Sequence, residues 1–426
     1  MNPSRLSLLI LFLMSAVTAH AAVSTTSLSF DEALSTILKR NTSIQTEEAN
    51  LSFVEAKALP SRFVFAPSLS FTGKTYKNGA NGNTSDQNSS VEANSKYNLL
   101  HWGADFASWK ASTHDIESQT STLESARLAA EDTAVSALVE EIKQRKEIQI
   151  IQELADIQSK LYKIAQERFK TGYLAVQEVN KILVDLENEN ARLADAQLQE
   201  AIARAALENL LGSSDIDLEW PWKKQLEISG NKVAELKWKA SDIPDFVAAE
   251  SHLHAEEERY HQDQRLLLPS LDANFTYGVY KGLGTVAAGE TWTPGWTIGL
   301  GMSFPFFDNL VSYSTMKAQA NVEKAADVAL TQKMRDAKAR WDSSLTGFKI
   351  ALSAADAREK TLDISRKLYQ DSMRRVQAGR ISANDLVIDQ RRLLDSELFA
   401  VQGWANAHLQ FPKLCHSLGL RLEKCW

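Results

Sequence analysis

The sequence predicts a mixed α and β chain, mainly helical and assembled from a duplicated unit, and three observations carry that reading. None of the nine prolines lies between Ala104 and Leu211 or between Val311 and Phe411. These stretches of 108 and 101 residues are rich in Ala, Leu, Glu, Gln, Lys and Arg, so two long runs of good helix formers lack the strongest helix breaker. Shorter segments change their hydrophobic period from 3.6 to 2, which is the mark of strands. Finally, Leu161-Tyr162 recurs as Leu368-Tyr369, Gly172 as Gly379 and Leu211-Gly212 as Leu418-Gly419, all at an offset of 207 residues. Leu99-Leu100 falls opposite Phe306-Phe307 at the same spacing, and Pro67-Ser68-Leu69 matches Pro269-Ser270-Leu271 at 202.

Composition narrows the class. With 44% hydrophobic and 24% charged residues, the chain is neither disordered nor a polytopic helical membrane protein. Lys and Arg number 47 against 54 Asp and Glu, and the net charge of −7 offers no basic surface for nucleic acid.

Residues 1–21 read as a secretory signal: Arg5 in a short n-region, an apolar core from Leu6 to Val17, and Ala19-His20-Ala21 at the cleavage site. No later run approaches the roughly 20 apolar residues that a spanning helix needs. The first repeat is expected over 22–212 and opens with a helix from Phe30 to about Leu59. Ser29 and Glu32 fit a capping box for it, each side chain reaching the other residue's backbone N–H. Two strands follow, at about 67–76 and 90–99, where Val91, Ala93, Tyr97 and Leu99 alternate with Glu92, Asn94, Lys96 and Asn98. A helix over 104–171 comes next; its 68 residues would reach about 100 Å and must lie against other helices. Leu154, Ile157, Leu161 and Ile164, spaced 3, 4 and 3 apart, supply a coiled-coil seam. A turn at Gly172 then reverses the chain into a helix over 173–211.

Segment 213–244, with Trp220-Pro221-Trp222 and Trp238, is too irregular for such a helix and is expected to pack with the C-terminal tail as a belt. The second repeat, 245–419, opens with a helix from Asp245 to about Leu268 and has clearer strands. Leu271, Ala273, Phe275, Tyr277 and Val279 alternate with Asp272, Asn274, Thr276 and Gly278, and Trp296, Ile298, Leu300, Met302 and Phe304 alternate with Thr297, Gly299, Gly301 and Ser303. The second long helix runs over 311–378, and a tail over 420–426 ends the chain. The two cysteines, Cys415 and Cys425, lie close enough in sequence for a bridge in an oxidising compartment, with two free thiols as the alternative.

Two hairpins cannot bury both their edges and an apolar outer face, and a closed barrel solves both problems. Strands of about ten residues suit an outer-membrane barrel. Four strands are too few to close one, since such barrels start at about eight, so several chains must contribute; three would give twelve. Aromatic residues mark two girdles, with Tyr76, Tyr277, Tyr280, Trp292 and Trp296 near the outer strand ends. Tyr97, Trp102, Phe304, Phe306 and Phe307 lie near the ends that meet the helices.

In these features the chain resembles the TolC-like outer membrane factors over nearly its whole mature length. The resemblance rests on Leu28-Ser29-Phe30-Asp31-Glu32-Ala33-Leu34, Leu268-Pro269-Ser270-Leu271, Phe304-Pro305-Phe306-Phe307-Asp308 and the paired Gly172/Gly379 and Leu-Gly markers. The family's Asn-Pro after the first motif is Asn41-Thr42 here, and Asn98-Leu99-Leu100-His101-Trp102-Gly103 replaces the Pro305 segment in the first half. What the resemblance implies is a homotrimer in the outer membrane of a Gram-negative bacterium, with a twelve-stranded barrel in lipid continuing into a periplasmic helical tunnel. It would be no enzyme and need no cofactor, serving as the passive duct of an efflux pump or type I secretion system. The helical tips, Gly172 and Tyr173 with Gly379 and Arg380, would meet a periplasmic adaptor (membrane fusion) protein bound to an inner-membrane transporter. Glu178 and Asp385, six positions after the two turn glycines, are candidates for an acidic aperture ring that favours cations, with ordinary first-turn acids favoured by the helix dipole as the alternative. His252, His254, Glu258 and His261 have spacing that could hold a metal, but a solvated charged helix face explains the same residues, and no metal site is assigned. A periplasmic coiled-coil adaptor without a channel is the alternative; it would have one helical hairpin, not two.

Overall fold

The computed structural model describes residues 29–80, 83–212, 232, 237–281, 292–308, 310–378, 380 and 383–425, without the side chains of 76–80, 83–88 and 383–384. The signal segment, Gly379, Trp220-Pro221-Trp222 and the Tyr76 side chain lie outside what is described. Among the described residues the helices are α1 (Phe30–Arg40), α2 (Thr42–Arg62), α3 (Ala104–Lys170), α4 (Val176–Leu211), α5 (Pro244–Leu266), α6 (Val311–Gln377), α7 (Ala383–His416) and α8 (Leu422–Cys425). The strands are β1 (Ser68–Ala80), β2 (Asn83–Leu100), β3 (Ser270–Lys281) and β4 (Thr293–Ser303). The long helices α3 and α6 both have 67 residues. Their bounds differ by the same 207 residues as the sequence markers.

The capping box forms: Ser29 N–H donates to Glu32 Oε2 at 3.0 Å and Glu32 N–H to Ser29 Oγ at 3.3 Å. The first helix is nevertheless broken, where one continuous helix was expected. Asn41 takes an extended conformation (ψ 118°) and its side chain accepts hydrogen bonds from Ser43 and Ile44 N–H, so it caps a new helix without the help of a proline.

The chain packs as two compact units, Met1–Lys39 with Ala137–Trp222, and Arg40–Ser136 with Lys223–Trp426. In the first, α4 returns along the C-terminal part of α3, and the Gln158 side chain donates to Ile182 O at 3.3 Å. Leu154 and Ile157 are buried in this seam, but Ile164 is exposed and Ala165 is buried in its place. A straight helix has 3.6 residues per turn, so the seam drifts by one position within three turns of Leu154.

In the second unit α7 returns along α6. The Phe348 and Phe411 rings lie 5.9 Å apart, Ser365 and Ser396 hydroxyls meet at 2.9 Å, and Trp404 Nε1–H donates to Glu359 at 2.7 Å. Gly403 sits close to Ala355, where an added Cβ would lie 3.2 Å from the Ala355 Cα. The C-terminus is tied back by a disulfide between Cys415 and Cys425, whose Cα atoms are 6.3 Å apart. Closing so short a loop contributes roughly 2–3 kcal/mol.

The same unit holds one antiparallel sheet in the order β1-β2-β3-β4. Its register aligns Phe71, Ala93, Tyr277 and Trp296 in one row, and Ser70, Asn94, Thr276 and Thr297 in the adjacent row. Side chains alternate across a strand, so one face is apolar and the other polar. β1 and β2 run further toward their hairpin than the expected 67–76 and 90–99, to Ala80 and from Asn83, taking in a polar stretch. Backbone pairing with β1 holds this stretch extended (Thr75 with Ser89, Lys74 with Ser90), whatever the side chains. Tyr280 lies on the polar face, its ring 3.2 Å from where a Gly295 Cβ would stand, and so does not belong to the girdle.

The two strand-to-helix corners share a backbone. Gly103 has φ +82° and Leu310, 207 residues later, has φ +64°. A non-glycine residue in this region costs about 1–2 kcal/mol, a cost carried by Trp102 (φ +53°) in the first corner and by Leu310 in the second. The buried ring pair of the α6–α7 hairpin gives a direct test of that packing. Phe348→Ala should destabilise the protein by about 3–5 kcal/mol, seen as a lower urea midpoint by circular dichroism, whereas the exposed Ile350→Ala should shift it little.

Candidate functional site

Three places carry the polar and apolar chemistry of the fold: the two faces of the sheet, the helical tips, and a cluster where the C-terminus meets α3. On the apolar face Ile298, Leu300 and Met302 are 70%, 74% and 78% exposed, although each belongs to an ordered strand. An apolar surface of this extent is stable only against another apolar phase. Among the described residues no helix is long and apolar enough to cross a membrane. Tyr277, Trp292 and Trp296 are exposed toward the hairpin ends, and Tyr97, Trp102, Phe304, Phe306 and Phe307 toward the helical ends.

The polar face carries ionic groups. Lys96 Nζ lies 3.1 Å from Asp272, which also meets His101 Nε2 at 3.5 Å, and His101 Nδ1 lies 3.2 Å from Asp105. This chain runs from the sheet into the first turn of α3. The corner between them is pinned by Trp102 Nε1–H donating to Pro269 O at 2.7 Å and by Arg265 donating to Gly103 O at 2.8 Å.

At the tip of the first unit Gly172 takes φ +76°, and Tyr173 N–H closes the turn onto Arg168 O at 2.8 Å. The Tyr173 side chain is 86% exposed. Glu178 is exposed in the first turn of α4 and held by Lys181 at 2.8 Å, which raises the Lys181 pKa through that hydrogen bond and charge. At the tip of the second unit Arg380 is exposed, and its N–H donates to Arg375 O at 2.8 Å. Asp385 is exposed in the first turn of α7, and Asp389, one turn on, accepts from Ser372 Oγ at 2.5 Å and pairs with Arg392 at 2.8 Å. Each tip presents basic residues around a single first-turn carboxylate. The histidines of α5 are engaged locally: His254 meets Glu257 at 3.0 Å and His252 meets Glu256 at 3.8 Å, while Glu258 pairs with Lys110 at 2.9 Å.

The third place was not anticipated from the sequence. His416 is buried at the end of α7, with Nε2 3.0 Å from Glu131 and Nδ1 2.9 Å from Asp132, the latter an ionic contact off the hydrogen-bonding direction. Glu131 also accepts the Leu422 N–H at 3.1 Å, and Glu124 takes Arg421 together with Arg127, whose other amine reaches Glu48 at 3.0 Å. Beside this cluster a cavity of about 560 Å³ is lined by Ser125, Asp132, Asp245, Arg340, Lys413 and His416. Burial alone would raise Asp245, but hydrogen bonds from Ser125 and Arg340 outweigh it and hold the carboxyl below its usual range. Trp238 is half-buried in the same unit, while 213–231 and 233–236 of the expected belt lie outside the described residues. No local sequence pattern signals this cluster, because His416 and Glu131 lie 285 positions apart.

A duplicated strand-pair and helix-hairpin chain with an exposed apolar sheet face defines a class, the subunit of a membrane channel that continues into helices. A sequence profile of the Outer membrane efflux protein family matches residues 33–213 and 241–410, and the chain belongs to that family. It is therefore an outer-membrane efflux channel protein of a Gram-negative envelope, with a periplasmic helical part, and not an enzyme. Among solved structures, the CmeC outer membrane channel of Campylobacter jejuni superposes with a TM-score of 0.76 at 17% identity, covering 92% of this chain and 85% of that one. The outer membrane protein VceC of Vibrio cholerae gives 0.76 at 15%, covering 92% and 96%. The open state of the MtrE outer membrane channel of Neisseria gonorrhoeae gives 0.70 at 18%, covering 92% and 89%. At such identities the likeness establishes the fold. A search of curated protein sequences returns no match.

His416 makes stability depend on pH. Burial lowers its affinity for a proton, but Asp132 and Glu131 overcome this and raise its pKa from 6.5 to about 9. Its contribution is complete below pH 6.5 and is lost as pH rises through about 9; its size is roughly 3 kcal/mol. The melting temperature should therefore fall between pH 7 and 9.5, and His416→Gln should lower it at pH 6 and flatten that dependence.

Proposed function

We propose that three copies of this chain close a twelve-stranded barrel and serve as the passive exit duct of a tripartite efflux pump or a type I secretion system. The observation that carries this reading is the four-stranded sheet, which exposes most of the large side chains of its apolar face and ends in two edge strands, β1 and β4. In lipid no water is present to satisfy edge N–H and C=O groups, so the edges must pair with other strands. Joining β4 of one copy to β1 of the next satisfies every edge, and three copies bring the count to twelve, within the range of closed barrels. The polar face, with Lys96, Asp272 and Asn274, then lines an aqueous lumen.

The tips at Gly172–Tyr173 and Gly379–Arg380 are proposed to dock a periplasmic adaptor that joins the duct to an inner-membrane transporter. Their exposed aromatic and basic side chains suit partner helices with apolar and acidic faces. A transporter supplies the energy, so the duct needs no catalytic group. Two helical hairpins per chain support this reading over a periplasmic adaptor, for which one would suffice.

Glu178 and Asp385 are proposed as the acidic groups of the periplasmic aperture. In planar bilayers the purified protein should conduct as a detergent-stable trimer and prefer cations. Asp385→Ala should weaken that preference and relieve block by divalent cations; unchanged selectivity would remove Asp385 from the aperture, and a soluble, non-conducting monomer would overturn the duct itself.

A further inference from the structure

Immediately beyond the sheet, each long helix begins with the same pair of side chains. In α3 the Lys110 ammonium lies 5.1 Å from the centre of the Phe106 ring, and in α6 the Lys317 ammonium lies 5.3 Å from that of Tyr313. Both pairs are spaced i, i+4, and they are separated by the 207 residues that relate the two repeats. The rings are almost equally exposed, Phe106 at 45% and Tyr313 at 47%. We propose that these two aromatic–lysine pairs bind the headgroups of anionic glycerophospholipids in the membrane leaflet that borders the helices.

The position suits that ligand. An exposed apolar strip runs from Met302 on the apolar face of β4 through Phe304, Phe306, Phe307, Leu310 and Val311 to Tyr313. Lys317 follows six residues into α6, or about 9 Å along the helix. The polar headgroup layer beyond the hydrocarbon is roughly 5–8 Å thick on each side. Side chains on a helix lean toward its N-terminus, here the sheet, so both lysines reach back toward the membrane from below it. A ring face attracts an ammonium without neutralising it, which steers the positive charge while leaving it for a phosphate. The same arrangement lets the lysine stem cover apolar surface while its head stays at the polar boundary. The two pairs are not equal: Lys110 also meets Glu258 at 2.9 Å, whereas Lys317 stands on an exposed face. The pair in α6 is therefore the stronger site.

This inference rests on the reading of the apolar sheet face as lipid-facing, and the test separates the two. The detergent-purified assembly is titrated with phosphatidylglycerol and with phosphatidylcholine, and bound lipids are counted by native mass spectrometry. The intact protein should prefer phosphatidylglycerol. Lys317→Ala should weaken that lipid about fivefold, with phosphatidylcholine unchanged; Lys317→Arg should restore it, and adding Lys110→Gln should weaken it further. Unchanged phosphatidylglycerol binding in the double variant, or an equal loss of both lipids, would overturn the headgroup assignment. All variants should conduct in planar bilayers; a conducting protein with no lipid preference fails the inference alone, and a protein that never conducts fails the duct reading.

Discussion

A strand placed in hydrocarbon must pair every backbone N–H and C=O with another strand, because nothing else there can accept or donate. The four strands of this chain satisfy that demand in the interior of their sheet and leave it open at β1 and β4. Much else in the structure follows from this one requirement. It explains why Ile298, Leu300 and Met302 can stand exposed on an ordered strand, and why their opposite neighbours are Thr and Gly.

The helices extend the same requirement beyond the membrane. A strand that ends at the apolar boundary must pass into an element that keeps its position around the barrel, and each repeat does so through a left-handed corner. Gly103 with Trp102 (φ +53°) makes that corner in the first repeat and Leu310 makes it in the second, each with one non-glycine residue in the left-handed region. Beyond the corners both long helices run 67 residues without a proline, and α6 takes its stability from α7 through apolar, ring and hydroxyl contacts along the hairpin. At the far end of α7 the disulfide, His416 and Arg421 bind the C-terminus to the Glu124–Asp132 face of α3. That clasp works through buried charge, so it depends on pH, while the apolar seams do not.

Much of this was legible in the sequence, for reasons that differ from element to element. The 67-residue helices were visible because helix formers without proline leave few other conformations, and the sheet faces because alternation with period 2 survives in Trp296 to Met302. The break at Asn41 was hidden because a side-chain cap needs only one Asn, and Asn is common within loops and helix ends alike. The continuation of β1 and β2 into polar residues was hidden because their pairing uses backbone groups, on which composition is silent. Ile164 was assigned to the seam by a strict 3-4-3 spacing, whereas the helix keeps 3.6 residues per turn and buries Ala165. The clasp at His416 joins residues 285 positions apart, and no local pattern reports such a contact. Of the tip residues, the turn at Gly172 was readable from glycine alone, but the pairing of Glu178 with Lys181 needed the helix phase.

Hydrogen exchange of the edge-strand amides in the detergent-purified assembly tests barrel closure most directly. Closure between copies predicts that amides of β1, around Phe71, and of β4, around Ile298, exchange as slowly as those of β2 and β3. Rapid exchange confined to β1 and β4, with β2 and β3 protected, would mean that the edges stay open and would contradict closure.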